Sequence, residues 1–189
     1  MWYGSNHLTM WTVQPVSMWE EMQRTGWLRA DGRRSMLMRT DPSFREAYDW
    51  MRKQMRERIP GYRGRYPIWA WHDKMPRKRD YADHDPSEPQ QVRIKFRAAP
   101  GAVLLSSFDA WHAVLNYWFI GPEDMADVYM ELRREELTPE MAARLEASWR
   151  HVFDIPKATE YRFHIPGATL QGVIEEVHIS QVSTVHSLF

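Results

Sequence analysis

The chain has 189 residues, and its 25 basic and 25 acidic side chains give a formal net charge of zero at pH 7. This balance argues against a general polyanion-binding surface, although it leaves room for local basic patches. The absence of cysteine excludes disulfides, thiolate zinc sites and cysteine nucleophiles. No apolar run reaches the roughly 20 residues that span a bilayer, and no signal-peptide pattern opens the chain. We therefore predict one cytoplasmic domain over residues 1–189, with no membrane partner.

Ten tryptophans stand beside twelve methionines. Tryptophan combines a large apolar ring with one polar N–H, which suits cores, interfaces and stacking surfaces alike. Two interpretations stay open at this point: an aromatic-rich core, or a groove that stacks a nucleobase or a nicotinamide ring.

The N-terminal segment predicts a strand followed directly by a helix. Residues 8–14 (LTMWTVQ) mix apolar and polar side chains as a strand does. Ser17 and Glu20 match the S-x-x-E capping box of a helix N-terminus, and Gly26 marks its end.

A second helix is predicted to begin at Asp41, with Pro42 in its first turn, and to end at Pro60-Gly61. Residues 66–72 (YPIWAWH) then predict a strand that carries Trp69 and Trp71 on one face. The next strand, 92–97 (VRIKFR), alternates apolar residues with outward cations. Those cations are Arg93, Lys95 and Arg97.

The polar, proline-rich segment 73–91 separates these two strands. A loop of this length inside a compact domain is functional or disordered, so we expect either a lid over a ligand or a plain surface insertion. Its Asp83-His84-Asp85 group is the densest set of metal-ligand residue types. The alternating charge around it favours a solvated loop, and no metal site is predicted.

The second half of the chain predicts three further helices and three strands. Ser106 or Ser107 is expected to cap the first of these helices, and Thr138 the last. The predicted strands cover 102–105, 169–178 with a bulge at Gly172, and 182–189 at the sheet edge. The last two predicted helices cover about 122–136 and 139–151. Together the elements predict an α+β fold: a small, twisted, mostly antiparallel sheet, single or split, with about five helices.

Two polar sets stand out in this half. Asp109, His112 and Asn116 recur at spacings of three and four, which brings them near one helix face. They form a substrate-binding set or belong to an ordinary capped helix. In a strand, Gln171 and Glu175 share a face, while Glu176 points the other way; a polar sheet edge is the plainer interpretation. Phosphate-cradling glycine motifs and the G-x-S-x-G motif are absent.

A nucleic-acid surface is the alternative suggested by charge. Arg93, Lys95 and Arg97 share one strand face, and PRKR at 76–79 adds a second basic cluster. Tryptophans beside such cations make a stacking platform for unpaired bases. A solvated strand face is the competing interpretation.

The order of the segments LTMWTVQP, WEEMQRTGWLRAD, FREAYDWM, YPIWAW, VLLSSFDAWHAVLN and LQGVIEEVHISQV resembles an uncharacterised family of small bacterial proteins of unknown function. This resemblance covers nearly the whole chain. A weaker similarity links the chain to ADP-ribosyltransferases, which open with a strand bearing an Arg or His that holds NAD. In those enzymes a late strand supplies the Glu that stabilises the oxocarbenium ion.

The ADP-ribosyltransferase resemblance implies NAD as cofactor. Thr12 would fall at the Arg or His position, Gln14 at its Ser or Thr partner, and Gly26-Trp27-Leu28 at the helix stop. The resemblance implies Gln171 and Glu175 as catalytic residues. The cofactor-binding set that it implies is Trp11, Thr12, Gln14, Tyr66, Trp69 and Trp71.

Two residues depart from that pattern. Thr12 is neither Arg nor His, and Gln171 is neutral, so it cannot supply the charge that such a transition state calls for. Glu175 could substitute for Gln171 if the strand register differs. The fold alone would not establish the chemistry.

The sequence therefore predicts three alternative functions. The first is an NAD-dependent ADP-ribosyltransferase-like protein acting on a nucleic-acid or protein target, with Thr12, Gln14, Trp69 and Gln171 lining one pocket. The second is a non-enzymatic module that binds nucleic acid or a nucleotide through strand 92–97. The third is a protein-interaction component of a toxin–antitoxin or phage-defence system. The expected substrate-binding residues are Arg93, Lys95, Arg97, Asp109, His112 and Asn116.

Overall fold

A computed structural model describes residues 7–32, 40–72, 89–155 and 170–188. The described residues form two compact units. Unit 1 contains residues 7–32, 52–72, 89–104 and 171–188; unit 2 contains 40–51, 105–155 and residue 170. The single-domain organisation expected from the sequence stays a prediction.

Eight strands and five α-helices lie in the described residues, as expected for an α+β protein. The strands are β1 (Leu8–Pro15), β2 (Trp27–Arg29), β3 (Ile68–Trp71), β4 (Gln91–Ala98), β5 (Val103–Ser107), β6 (Leu170–Ile174), β7 (Glu176–His178) and β8 (Val182–Ser187). The helices are α1 (Val16–Thr25), α2 (Pro42–Arg58), α3 (Phe108–Leu115), α4 (Glu123–Met130) and α5 (Pro139–Ser148).

The strands form a six-stranded sheet in the order β5-β6-β3-β1-β4-β8 and a two-stranded sheet of β2 and β7. β1 pairs antiparallel with both β3 and β4, β3 with β6, and β4 with β8. The predicted, mostly antiparallel pairing is confirmed; of the two arrangements left open, single or split, the described strands form two separate sheets, and β8 lies at the edge of the larger one as expected.

Alternation along the strands separates a buried face from a half-buried one. On β4, Val92, Ile94 and Phe96 are buried, as the sequence predicted. On β3, Ile68 and Ala70 are buried, whereas the two tryptophans between and after them are half-buried. The apolar residues on the buried face form the core of unit 1, and their burial removes apolar surface from water at about 25 cal/mol per Å².

The N-cap of helix α1 lies two residues earlier than expected. Pro15, with φ of −55° and ψ of 145°, occupies the N-cap position, and no side chain caps the helix. The predicted capping box of Ser17 and Glu20 is therefore wrong, because the proline that precedes Val16 already sets the extended entry and leaves Ser17 inside the first turn. Gly26 ends the helix as predicted, at φ of 81°, a conformation that glycine adopts without a steric penalty.

The predicted start of α2 at Asp41 and the predicted caps of two other helices are confirmed. An Asp41 carboxylate oxygen accepts hydrogen bonds from the N–H groups of Ser43 and Phe44 in α2. Ser107, one of the two candidate serines, caps α3, and Thr138 caps α5.

The helix expected over 122–136 is shorter than predicted. It ends at Met130 and is followed by a separate 3₁₀ turn, Arg134–Glu136. Glu136 accepts hydrogen bonds from the N–H of Arg133 at 2.7 Å and from its guanidinium at 2.8 Å. These hydrogen bonds hold the pKa of the Glu136 carboxyl below its usual range. They compete with continuation of the helix.

The long strand expected over 169–178 is divided at Glu175. β6 belongs to the large sheet and β7 to the small one. Gly172 pairs regularly with Ala70, so the bulge predicted there is wrong. The interruption lies at Glu175, whose carboxylate accepts hydrogen bonds from the backbone of another segment, as described below.

No helix among the described residues is long and apolar enough to cross a membrane.

Candidate functional site

One face of the large sheet carries a continuous row of aromatic and cationic side chains. In the antiparallel pairs, Gln171 lies opposite Trp71, Trp71 opposite Trp11, and Trp11 opposite Lys95. Directly opposite residues project to the same side of a sheet, as do residues two apart on one strand. We call this side the Trp–Lys face; its principal residues are Trp11, Trp69, Trp71, Arg93, Lys95, Arg97 and Gln171.

The Trp–Lys face is cationic. The Lys95 ammonium lies 5.6 Å from the centroid of the Trp11 ring, within the range of a cation–π contact. Trp11 and Lys95 are half-buried, and Arg97 is exposed. None of the described strands β1, β3, β4, β6 and β8 contains an aspartate or glutamate. The positive charge of Arg93, Lys95 and Arg97 is therefore not neutralised from within these strands.

Thr12 and Gln14 lie on the opposite face of the same sheet. Thr12 pairs with the buried Ile94 and is 1% exposed. Its hydroxyl donates to the Trp69 carbonyl oxygen at 2.8 Å and accepts from the Gln14 amide at 2.7 Å. The pocket expected to contain both residues with the side chains of Trp69 and Gln171 is therefore not formed, because strand alternation sends the two pairs to opposite faces.

Gln171 is 4% exposed, and its Nε2 has no hydrogen-bond partner in the part of the chain that the structure describes. Glu175, the other residue expected to be catalytic, is engaged with the backbone that follows α2. Its carboxylate accepts from the N–H of Arg63 at 2.8 Å and from that of Arg65 at 3.1 Å. Glu176 forms an ion pair with Arg29 at 2.9 Å. The two carboxylates thus fasten the β6–β7 corner to neighbouring segments of unit 1.

Tyr66 is also a packing residue of unit 1. The Arg52 guanidinium lies 4.6 Å from the centroid of its ring. On Gly32, a Cβ atom would come within 2.5 Å of the same ring, so only glycine allows this approach. Tyr66 forms an isolated bridge with Ala30 rather than joining β3. The aromatic strand expected over 66–72 is therefore limited to Ile68–Trp71.

Asp109, His112 and Asn116 lie on or next to α3, in unit 2. Asp109 occupies the first turn of this helix. The His112 Nδ1 contacts the Phe108 carbonyl oxygen at 2.9 Å, and the Asn116 amide donates to the His112 carbonyl oxygen at 2.7 Å. These local hydrogen bonds account for His112 and Asn116 as parts of an ordinary helix, and a substrate-binding role for the three residues stays a prediction.

The profile of the domain of unknown function DUF3841 matches residues 9–183. The chain belongs to the DUF3841 family. This match confirms the predicted membership of an uncharacterised family, and it identifies no activity. No curated protein and no solved structure matches the chain. The likeness of this DUF3841 protein to ADP-ribosyltransferases, and NAD as its cofactor, stay predictions.

Among the described residues of the DUF3841 chain, no group of three or more histidine, aspartate or glutamate side chains is placed to hold a metal ion. The Asp83-His84-Asp85 group and the PRKR cluster at 76–79 lie outside the described residues, as do residues 73–88 of the segment 73–91, which was expected to form a lid or a plain surface insertion.

Two residues of the Trp–Lys face were not expected from the DUF3841 sequence. Thr184 lies opposite Lys95, and His186 lies opposite Arg93, both on β8 and both exposed. The alternation in VSTVHS predicts that these two side chains share a face. Their position beside the cations depends on the pairing of β8 with β4, which no local pattern encodes.

Proposed function

We propose that the Trp–Lys face binds single-stranded nucleic acid. The observation that carries this proposal is the cross-strand row Trp71–Trp11–Lys95, flanked on β4 by Arg93 and Arg97. Unpaired bases stack on aromatic rings, while cations beside those rings attract the phosphates. Both components are present on one side of one sheet.

The spacing of the cations fits an extended polynucleotide. Residues two apart on a strand are separated by about 6.8 Å, so Arg93, Lys95 and Arg97 form a line of three charges along β4. Successive phosphates of an extended single strand are separated by a similar distance. A strand laid along β4 would therefore bring its phosphates to the cations and its bases towards Trp11 on the neighbouring strand.

The arrangement favours single strands over duplexes. In a duplex the base faces are stacked on each other, and an indole ring on a sheet surface has no base face to contact. Because the chain has zero net charge, the attraction comes from local positive charge such as this patch and not from the charge of the whole protein. Binding should accordingly be measurable at low salt and weaken as salt rises.

The geometry gives less support to an ADP-ribosyltransferase. Thr12 and Gln14 lie on the face opposite the aromatic row and are hydrogen-bonded to each other. Both oxygens of Glu175 accept hydrogen bonds from the N–H of Arg63. An oxocarbenium ion would need a carboxylate directed at the substrate.

Fluorescence anisotropy with labelled oligomers of single-stranded DNA, single-stranded RNA and duplex DNA tests the proposal. Wild-type protein should bind the single strands more tightly than the duplex. Trp11→Leu should weaken this binding by about tenfold, since a stacked base contributes roughly 1–3 kcal/mol. Trp19→Leu, at a half-buried tryptophan of α1, serves as the matched control and should bind as wild type does. Absence of binding by the wild type, or equal losses in the two variants, would contradict the proposal.

A further inference from the structure

Unit 2 contains a cavity of about 140 Å³ that opens to the surface. A cavity of nearly this size, about 150 Å³, holds one benzene ring in an engineered protein core. Leu145 at the cavity is buried, whereas Trp118 and Met130 are exposed and give the cavity an apolar mouth. Tyr117 and Tyr129 also line it. The cavity therefore has the size and the walls to receive one aromatic ring.

Tyr117 is held in a left-handed backbone conformation at this cavity. Its φ is 59°, directly after the C-cap of α3, a position that usually belongs to glycine. The N–H of Trp118 donates to the Ala113 carbonyl oxygen at 2.8 Å and closes this helix end. The Tyr117 ring contacts the Trp149 ring, with 5.3 Å between their centroids. Because backbone strain of this kind clusters at binding sites, a tyrosine here favours a role for its ring as a cavity wall.

Two polar side chains that line the cavity are already paired. Arg134 forms an ion pair with Glu46, and its guanidinium lies 4.1 Å from the centroid of the Tyr117 ring. The Asn116 amide donates to the His112 carbonyl oxygen. An incoming group therefore gains more from the apolar walls than from these two side chains.

The surface beside the cavity is acidic. The described residues of unit 2 contain thirteen aspartates and glutamates, five arginines and no lysine. Residues 113–132 contain four carboxylates and no lysine, arginine or histidine. All four are exposed: Glu123, Asp124, Asp127 and Glu131. With a rise of about 1.5 Å per residue, Asp124 and Glu131 are separated by about 10 Å along the axis of α4. An occupant that meets both the cavity and these carboxylates is therefore a chain with several cations.

We propose that the cavity and the acidic residues of α4 bind a basic segment of a partner protein, with one aromatic side chain of that segment in the cavity. We call this surface the α4 site. An aromatic anchor in an apolar pocket, surrounded by polar groups, is typical of the centre of a protein–protein interface. Lysines or arginines on either side of the anchor meet the carboxylates. The same carboxylates repel phosphates, so neither nucleic acid nor an anionic membrane fits this site. The inference is independent of the Trp–Lys face, whose residues lie in unit 1.

Fluorescence anisotropy with three labelled nine-residue peptides tests the α4 site. The first has a central phenylalanine and four lysines separated by glycines. The second replaces the phenylalanine with alanine, and the third replaces the lysines with glutamates. At low salt, wild-type protein should bind the first peptide about tenfold more tightly than either of the others, because the second lacks the anchor and the third is repelled. Equal affinity for the first peptide and either of the others would overturn the proposal, as would absence of binding by the first.

Two charge-reversal variants locate the binding. Asp124→Lys/Glu131→Lys should weaken binding of the first peptide by about tenfold and strengthen binding of the third. Glu20→Lys/Glu57→Lys makes the same change in charge at exposed positions of unit 1 and should stay within about twofold of wild type. Equal losses in the two variants would assign binding to the charge of the whole protein and overturn the α4 site.

Leu137→Trp places an indole in the cavity and tests the anchor. This variant should lose the preference for phenylalanine over alanine and keep the preference for lysines over glutamates. Survival of the phenylalanine preference would contradict the proposal. Should Leu137→Trp fail to fold, free indole added to wild-type protein tests the same cavity. Indole should weaken binding of the first peptide and leave that of the second unchanged; equal effects on the two peptides would overturn the inference.

Discussion

Glu175 and Arg63 are joined by two hydrogen bonds, in which the N–H of Arg63 is shared by the two carboxylate oxygens at 2.8 and 3.0 Å. The N–H of Arg65 donates to the same carboxylate at 3.1 Å. This contact fastens the end of β6 to the segment after α2 and commits the carboxylate to the backbone. Glu175 therefore makes a structural contact, and its catalytic role stays a prediction.

Replacement of Glu175 should accordingly affect stability. Glu175→Gln removes the charge that strengthens these hydrogen bonds and should lower the free energy of unfolding by about 1–3 kcal/mol in urea titration. Glu20→Gln, at an exposed position of α1, is the control and should stay within about 0.5 kcal/mol of wild type. Wild-type stability in Glu175→Gln, accompanied by loss of an NAD-consuming activity, would instead identify a catalytic carboxylate.

Thr12 should likewise behave as a core residue. Thr12→Val keeps the side-chain shape and removes the hydroxyl that bonds both the Trp69 carbonyl oxygen and the Gln14 amide. We expect a loss of about 1–3 kcal/mol in the free energy of unfolding, with oligonucleotide affinity unchanged. Thr184→Val, at an exposed position on β8, is the matched control. Equal stability of the two variants would show that the Thr12 hydroxyl contributes nothing.

Opposite effects are expected from two buried glutamines. Gln171→Met removes an unpartnered donor and should raise the free energy of unfolding by about 1 kcal/mol. Gln54→Met removes an amide bonded to Glu57 and Arg58, and should lower it. Thermal or urea unfolding of the two variants measures both changes. A loss of stability in Gln171→Met would indicate that the amide is satisfied inside the folded protein.

Alkaline pH should destabilise the protein through Tyr62. Burial raises the pKa of this phenol, whose hydroxyl donates to the Arg65 carbonyl oxygen at 2.5 Å. Because the folded protein holds the proton more tightly than the unfolded chain, the contribution of Tyr62 is full below its ordinary pKa of about 10 and is lost as pH rises through the folded value. Urea titrations across this range should show a shallower decline for Tyr62→Phe than for wild type. Identical slopes would contradict this assignment.

NAD separates the two leading functions. A ligand that binds only the folded state raises the melting temperature by mass action. The ADP-ribosyltransferase hypothesis predicts such a rise at millimolar NAD, whereas a face that holds several successive phosphates should be stabilised far more by a single-stranded oligomer than by a dinucleotide. Differential scanning fluorimetry with NAD, and with a single-stranded oligomer as the positive comparison, measures both. A rise with NAD and none with the oligomer would favour the enzyme.

The elements of the fold were largely predictable because local patterns encode them. Pro42 after Asp41, the αL glycine at 26 and the alternation around Ile94 each depend on neighbouring residues in the sequence. The division of the late strand could not be predicted, since it follows from a hydrogen bond between Glu175 and the backbone of Arg63, which lies 112 positions away.

The candidate site could be predicted only in part, for the same reason. Strand alternation correctly separates the tryptophans of β3 from Ile68 and Ala70. It also sends Thr12 and Trp11 to opposite faces, yet the sequence gives no register between β1, β3 and β6. The alignment of Gln171 with Trp71 depends on that register, so the row on the Trp–Lys face became visible only in the structure.

Salt dependence of single-strand binding tests the central claim most directly, because it counts phosphate contacts. The variant Arg93→Ala/Lys95→Ala/Arg97→Ala removes the charges of the face. Arg24→Ala/Lys53→Ala/Arg144→Ala removes three exposed charges elsewhere and has the same net charge. Each phosphate contact on a single strand contributes about −0.7 to the slope of log K against log salt. The account predicts a slope less negative by about 2 in the first variant and unchanged in the second; equal slopes in wild type and both variants would contradict it.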